Sequence, residues 1–389
     1  MKKEVKLEIL DDNQNGMGFS KYNGLPIFID KTLKGDIVNI RIIKENKKYY
    51  IGKVISFEKK VKREKVTCPY YDICGGCNLL HISYDEELNK KKDYLERLFK
   101  RKIIINSFDR ENYRNKVTLH VKDNKLGLYQ KESNILVKID KCNLLDKNIN
   151  SIIEVLNTFD LTNINEITIR NSNYNILLKI TGKIINEDLK KLISNKNIVS
   201  IYENDLLIYG EKYIEYSFNN KKYLVNQNSF FQVNTNCAIN LYEKIKEYSG
   251  KGNSLLDLYC GALTIGIYLS DNFNKITGVE INKDSYKCAL ENIKINDINN
   301  CEIINDDSSV IKDNYDVVIV DPPRNGLSKK VISNLEHINP KKIVYVSCNP
   351  NTLKRDIDLL NNYNLKKIEA FNMFPGTKHC ESIAILVKK

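Results

Sequence analysis

The sequence predicts an α/β protein that carries a small β-barrel, and three patterns lead to that class. Over residues 1–58, short runs of alternating apolar and polar side chains are broken by Gly16, Gly18, Gly24, Pro26 and Gly35, the punctuation of an OB-like all-β barrel. Over residues 223–389, apolar strand-like runs alternate with glycine turns and helical patterns, as in a doubly wound, Rossmann-like sheet. Residues 59–222 between them mix strand and helix patterns as an α+β segment, without an internal repeat.

The barrel strands are expected at residues 5–9, 37–43 and 50–55. From Lys44 to Lys65 there are nine basic residues against three acidic ones, interleaved with Tyr49, Tyr50 and Phe57. Cations with aromatics between them suit a phosphate backbone and stacked bases, although a solvated rim on an ordinary barrel has the same composition. Next comes a helix over residues 83–101. Tyr84, Leu88, Tyr94, Leu95, Leu98 and Phe99 recur at helical spacing, Ser83 precedes Glu86 as in a capping box, and the other face is largely Lys and Arg. Further strands are expected at residues 255–259, 275–281, 301–306, 316–321, 341–347 and 383–387.

Composition narrows the class of function. The chain has 389 residues, a formal charge of +12 and 42% hydrophobic residues. No run approaches the ~18 apolar residues of a membrane-spanning helix. The opening MKKEVKLEIL lacks the apolar core of a secretory signal, so a cytoplasmic protein is expected. In a reducing compartment the ten cysteines should be thiols, metal ligands or catalysts and not disulfides.

Four motifs carry chemistry. Leu256-Asp-Leu-Tyr-Cys-Gly261 is a strand ending in a glycine turn, and Glu280 ends the next strand, where an acidic residue accepts hydrogen bonds from ribose hydroxyls. Asp316-Val-Val-Ile-Val-Asp-Pro-Pro-Arg324 ends a later strand in a carboxylate and a stiff diproline platform. In this order, and without G-x-G-x-x-G, these features point to an S-adenosylmethionine (SAM) site. Cys348, in Val344-Tyr-Val-Ser-Cys-Asn-Pro350, stands between a strand end and a helix start, where the helix dipole favours a thiolate. Glu381 stands just before the final strand.

A thiol and a carboxylate are what methylation of uracil carbon 5 requires. That carbon is a poor nucleophile until a thiolate adds to carbon 6, and its proton must then be removed by a base before the thiolate can leave. A fifth motif is Cys68-x5-Cys74-x2-Cys77, with Cys142 far along the chain. Four such thiolates suit tetrahedral zinc or a [4Fe–4S] cluster, and spacing leaves both open. Cys237, Cys260, Cys288, Cys301 and Cys380 fall within helix or strand patterns and read as core.

Taken together, Phe230-Phe-Gln-Val-Asn234, Asp257-Leu-Tyr-Cys-Gly261, Asp321-Pro-Pro-Arg-Asn-Gly326, Ser347-Cys-Asn-Pro350 and His379-Cys-Glu381 resemble the RNA 5-methyluridine methyltransferases. Within them the chain resembles the 23S ribosomal RNA enzymes that carry a TRAM domain and an iron–sulfur cluster. The resemblance implies a TRAM barrel (1–58), a central iron–sulfur domain (59–222) and a SAM-dependent methyltransferase domain (223–389). It implies Gln232, Tyr259, Glu280 and Asp321 as donor-binding residues, Cys348 as nucleophile and Glu381 as base. It also implies Cys68, Cys74, Cys77 and Cys142 as [4Fe–4S] ligands, 23S ribosomal RNA as the partner of a monomer, and packing of the helix at 83–101 on the catalytic domain. A tRNA uridine methyltransferase is the enzyme alternative. The other alternative is an RNA-binding protein with impaired donor binding, because Leu263 stands where the family usually has glycine and is expected to crowd the donor.

Overall fold

In the computed structural model of the chain, residues 3–311 and 313–389 are described; Met1 and Lys2, which open the predicted barrel, and Lys312 lie outside them. Strands β1 (Glu4–Glu8), β2 (Asp11–Asp12), β3 (Met17–Tyr22), β4 (Leu25–Asp30), β5 (Ile37–Glu45) and β6 (Tyr50–Lys59) form one sheet in the order β1-β5-β6-β4-β3-β2. Ile9 and Leu10 alone join its two outermost strands, so the sheet must curl until its edges meet, and Ser20 Oγ donates to Glu8 O across the seam at 2.7 Å. β-branched Ile9, Ile27, Ile29, Val38, Ile40 and Ile42 fill the interior. The sequence pattern does not announce β3 and β4, because Gly18 and Pro26 read as breaks. In the structure β6 pairs with β4 from Ile27 to Ile29, so the N–H missing at Pro26 removes nothing from that ladder.

Helix α1 (Tyr84–Phe99) has the expected start, with Ser83 Oγ accepting from Glu86 N at 3.1 Å. Its buried line differs from the apolar pattern. Glu87, Lys91, Leu95 and Phe99, four residues apart, face inward, so one lysine of the expected outer basic face lies inside. Strand β7 (Ile104–Asn106) follows.

A second sheet uses β8 (Lys116–Lys122), β9 (Lys125–Tyr129), β10 (Leu136–Lys138), β11 (Ile164–Ser172), β12 (Asn175–Gly182), β13 (Ile198–Glu203) and β14 (Leu206–Gly210), in the order β10-β9-β8-β11-β12-β13-β14. Helices α2 (Lys147–Leu156) and α3 (Asn186–Ile193) pack Ile149, Ile152, Ile153, Leu156 and Leu192 into its core. The hairpin β15 (Ile214–Phe218) and β16 (Lys221–Val225) leads to α4 (Thr235–Ser249).

The last unit contains β17 (Gly252–Leu258), α5 (Thr264–Tyr268), β18 (Phe273–Val279), α6 (Lys283–Ile295), β19 (Cys301–Ile304), β20 (Val317–Val320), α7 (Lys329–Ile338), β21 (Lys342–Ser347), α8 (Pro350–Leu359), β22 (Tyr363–Phe371) and β23 (Glu381–Lys388). Its eight-stranded sheet runs β19-β18-β17-β20-β21-β23-β22-β7. β17 to β21 are parallel, and β23 is antiparallel to both β21 and β22. On one face α4, α5 and the β15–β16 hairpin share a core with the sheet. On the other, Leu95, Phe99 and Ile103 of the α1 region pack with α7 and α8.

The early helix therefore packs on the C-terminal sheet, and β7 extends that sheet in parallel beside β22. The hairpin packs there as well, so the sequence boundary between residues 222 and 223 falls inside β16. No helix among the described residues is long and apolar enough to cross a membrane.

Candidate active site

Sheet topology explains why residues far apart in sequence meet. Asp321 follows β20, Cys348 follows β21, and Glu381 begins the antiparallel β23, whose Ser382 pairs with Ser347. Two parallel strands thus end where their antiparallel neighbour begins. Asp321, Cys348 and Glu381 are set on one edge, each within electrostatic reach of the others, with Arg324 acting on Cys348 and Glu381. The edge opens on a cavity of about 290 Å3 lined by Arg324, Cys348, His379 and Cys380, with Lys91 and Tyr94 from α1.

The loops bearing these groups are held stiffly. Asn349 caps α8, its Oδ1 accepting from Asn351 N at 3.2 Å, and Pro350 occupies the first turn. The same helix end grips the diproline loop: Asn349 Nδ2 and Thr352 Oγ1 donate to Arg324 O, and Arg355 Nη2 donates to Asn325 O at 2.8 Å. Gly326 is required there. It has φ +74°, and a Cβ would lie 2.3 Å from Asp356 Oδ2.

Burial at this edge favours the neutral forms of its groups. Burial, reinforced by the Glu381 and Asp321 carboxylates, pushes the half-buried Cys348 thiol up to about 11, with Arg324 opposing. Burial also raises Glu381, with Asp321 adding to the effect and Arg324 opposing. Asp321 is likewise raised by burial. His379 is pushed down to about 4 by burial and by Arg324 and Lys378, so it is neutral at pH 7.

The glycine turn forms the adjoining part of the site. The chain passes through the left-handed region at Tyr259 (φ +63°), Gly261 (+57°) and Leu263 (+58°). Glu280 Oε2 accepts from Gly261 N at 2.9 Å and its Oε1 from Asn282 N at 2.6 Å, which holds the carboxylate at the turn. Gln232 is buried in the loop before α4. Its main-chain carbonyl accepts from Asn115 Nδ2 at 3.0 Å, and nearby Phe230 is 62% exposed.

Leu263 does not crowd this site, contrary to expectation. Its side chain is fully buried and turned into the core, where Gly266 and Gly278 leave it room: a Cβ on either would lie 2.7 or 2.5 Å from Leu263 Cδ1. The cost is a leucine in left-handed backbone, roughly 1–2 kcal/mol.

Asp257, which opens the motif Asp257-Leu-Tyr-Cys-Gly261, lies beneath the glycine turn. It is fully buried; Oδ2 accepts from Gly266 N at 3.0 Å, while Oδ1 has no partner. Burial lifts it to about 8, with Asp321 and Glu280 contributing to the rise. An orphaned acceptor within electrostatic reach of those two carboxylates fits a cationic, donor-rich ligand such as SAM. The sequence signal for Asp257 is its place at the start of that motif.

The four candidate cluster cysteines also converge. Burial raises the Cys77 thiol, and so do the Cys142, Cys74 and Cys68 thiols; Cys142 responds in turn to Cys68 and Cys74. Among the described residues, no group of three or more His, Cys, Asp or Glu side chains is arranged to hold a single metal ion. Of the other cysteines, Cys237, Cys260, Cys288 and Cys380 are buried and Cys301 is partly buried.

The barrel's basic stretch divides into two kinds of residue. Arg63 is structural: it pairs with buried Asp36, and its guanidinium lies 5.0 Å from the Phe57 ring centre. Lys44, Lys47, Lys48 and Lys53 are exposed. Replacing Lys44, Lys47 and Lys48 with glutamine should lower the slope of log affinity for single-stranded RNA against log salt by about 2, as three lost phosphate contacts require. A slope equal to that of the unmodified protein in a binding titration would show that this face does not meet RNA.

Comparison with known proteins identifies the architecture. Residues 2–55 match the TRAM domain, and residues 180–389 match the family described as tRNA (uracil-5-)-methyltransferase. The chain belongs to this family. It is a SAM-dependent RNA uracil-C5 methyltransferase. It is 32% identical to an uncharacterized RNA methyltransferase of Clostridium acetobutylicum, over 100% of this chain and 98% of that one. It is 31% identical to another from Aquifex aeolicus, covering 100% and 99%. Among solved structures, the tRNA (uracil-54, C5)-methyltransferase of Pyrococcus abyssi in complex with S-adenosyl-L-homocysteine superposes with a TM-score of 0.83 at 27% identity, covering 98% of this chain and 100% of that one.

Proposed function

We propose that this enzyme methylates carbon 5 of a uridine in 23S ribosomal RNA through a covalent bond between Cys348 Sγ and carbon 6 of the base. The observation that carries the mechanism is the placement of Cys348 and Glu381 on one sheet edge beside Asp321 and Arg324. Gln232, Tyr259, Glu280 and Asp321, with Asp257 behind the glycine turn, would hold SAM, which when bound would supply an electrophilic methyl group. Cys348 gives up its proton to solvent water and its thiolate adds to carbon 6, which makes carbon 5 nucleophilic. Once carbon 5 carries the methyl group, Glu381 removes the proton from that carbon, and the electron pair left behind expels the Cys348 thiolate. Arg324 favours the charged forms of both residues, opposing the burial that keeps them neutral.

The ribosomal assignment rests on the pairing of a TRAM barrel with four converging cysteines in one chain. tRNA is the second reading, favoured by the Pyrococcus abyssi enzyme, which matches barrel and all. Mapping 5-methyluridine in ribosomal RNA and tRNA from a strain lacking this chain decides between them. Loss of a 23S site is expected, and loss confined to tRNA would overturn the ribosomal assignment.

Cys68, Cys74, Cys77 and Cys142 are proposed to hold a [4Fe–4S] cluster. Four thiols within mutual reach supply the one cysteine per iron that such a cluster takes. Protein purified without oxygen should carry about four irons per chain. Stoichiometric zinc without iron in that preparation would refute the assignment.

A further inference from the structure

One wall of the active-site cavity comes from the barrel. Gln14 and Asn15, between β2 and β3, line it together with Arg324, Cys348, Lys378 and His379. The tip that carries them is internally braced: Asn13 Oδ1 accepts from Asn15 N at 2.9 Å and Met17 N at 3.2 Å, and Gly16 N donates to Asn13 O at 3.0 Å. The side chains of Gln14 and Asn15 take no part in this turn.

The tip is also docked against the loop that leads to Glu381. Gly16 has φ +71°, and a Cβ on it would lie 2.4 Å from Asn78 O. Asn78 N in turn donates to Gly376 O at 3.0 Å, and Asn78 Oδ1 accepts from Lys378 N at 3.4 Å. Asp12, just before the tip, pairs with Lys90 of α1, next to the cavity-lining Lys91. The barrel thus presents two primary amides at a fixed place in the catalytic cavity.

A primary amide offers a donor and an acceptor side by side, the pattern that pairs with a nucleobase edge, and unstacked RNA bases are read in this way. Arg324 and Lys378 in the lining suit a polyanion. Since Cys348 must face carbon 6 of the target ring, the barrel's share of the wall is left for another base. We propose that Gln14 and Asn15 read the base of a nucleotide adjoining the target uridine, so that the barrel sets sequence context inside the active site as well as supplying charge. This rests on the reading of Cys348 as the residue that meets the target.

The test uses short single-stranded RNAs with one central uridine between random flanks. These are incubated with the full-length enzyme and SAM, and the methylated fraction is sequenced. The unmodified protein should favour particular bases beside the uridine. The Gln14→Ala/Asn15→Ala double variant should lose roughly 5- to 150-fold of that preference at one adjoining position, the range for a lost base-edge contact. Its melting temperature and affinity for S-adenosylhomocysteine should stay unchanged, which separates base reading from a structural role. An identical preference profile in the variant would overturn the proposal. The same library bound to the protein with S-adenosylhomocysteine, and sequenced without any methyl transfer, reads the contact independently of the covalent mechanism. Failure of the chemistry at Cys348 is thereby distinguished from failure of the amides to read a base.

Discussion

Replacing Cys348 with alanine should reduce methyl transfer to the background rate while leaving SAM affinity unchanged, because the proposed donor contacts lie on Gln232, Tyr259, Glu280 and Asp321. Glu381→Gln should behave differently. Addition to carbon 6 and transfer of the methyl group can proceed, but the carbon 5 proton has no acceptor and the thioether cannot be expelled. Turnover should fall by about 10²- to 10⁴-fold, and a protein–RNA adduct that survives denaturing electrophoresis should accumulate. The adduct should require SAM and disappear in the Cys348→Ala/Glu381→Gln double variant. With the Cys348 thiol pushed up to about 11, the thiolate is scarce at neutral pH, so single-turnover rates should climb about tenfold per pH unit through that range. Methylation by the Cys348→Ala protein, or a Glu381→Gln protein that turns over normally, would remove the covalent mechanism.

The second large effect is expected from Glu87→Ala. Glu87 and Lys91 form a buried ion pair at 2.8 Å on the inner line of α1. Glu87 also accepts from Asn372 Nδ2 at 3.1 Å, from Gly376 N at 3.0 Å and from Arg110 Nη2 at 3.3 Å, while Lys91 Nζ donates to Asn372 Oδ1 at 2.6 Å. The variant leaves a buried ammonium without its counter-charge and the Gly376 N–H without its acceptor. Breaking a buried pair in this way costs about 3–5 kcal/mol, which urea denaturation would register. Because Asn372 and Gly376 belong to the segment leading to Glu381, turnover should fall with stability. Replacing both partners, as Glu87→Met/Lys91→Met, should recover only the part of the loss that comes from the unpaired ammonium, since Gly376 N and Arg110 still lack their acceptor. A loss below about 1 kcal/mol for Glu87→Ala would mean that water reaches the pair and the clamp does not stiffen the loop.

The chemistry of this chain was legible residue by residue, because each element sits in a short motif whose spacing is set locally. Asp321 ends a strand in prolines, Cys348 stands at a helix start, and Glu280 closes the second strand of a glycine-turn unit. The α1 helix was legible for the same reason, with Ser83 and Glu86 forming a local cap. What the sequence could not show is what a helix or turn faces once packed. Lys91 reads as part of a basic outer face, yet it is buried and joins Glu87 in the clamp on the catalytic loop. Leu263 reads as an obstruction, yet its left-handed backbone turns it into the space beside Gly266 and Gly278. Arg63 reads as an RNA contact and is used by Asp36. Strand β7 and the Gln14–Asn15 tip join the C-terminal site across hundreds of residues of chain. Local patterning fixes which groups a segment carries, but only long-range strand order and side-chain packing decide which of them share a low-dielectric pocket, and that is where charge, reactivity and specificity are set.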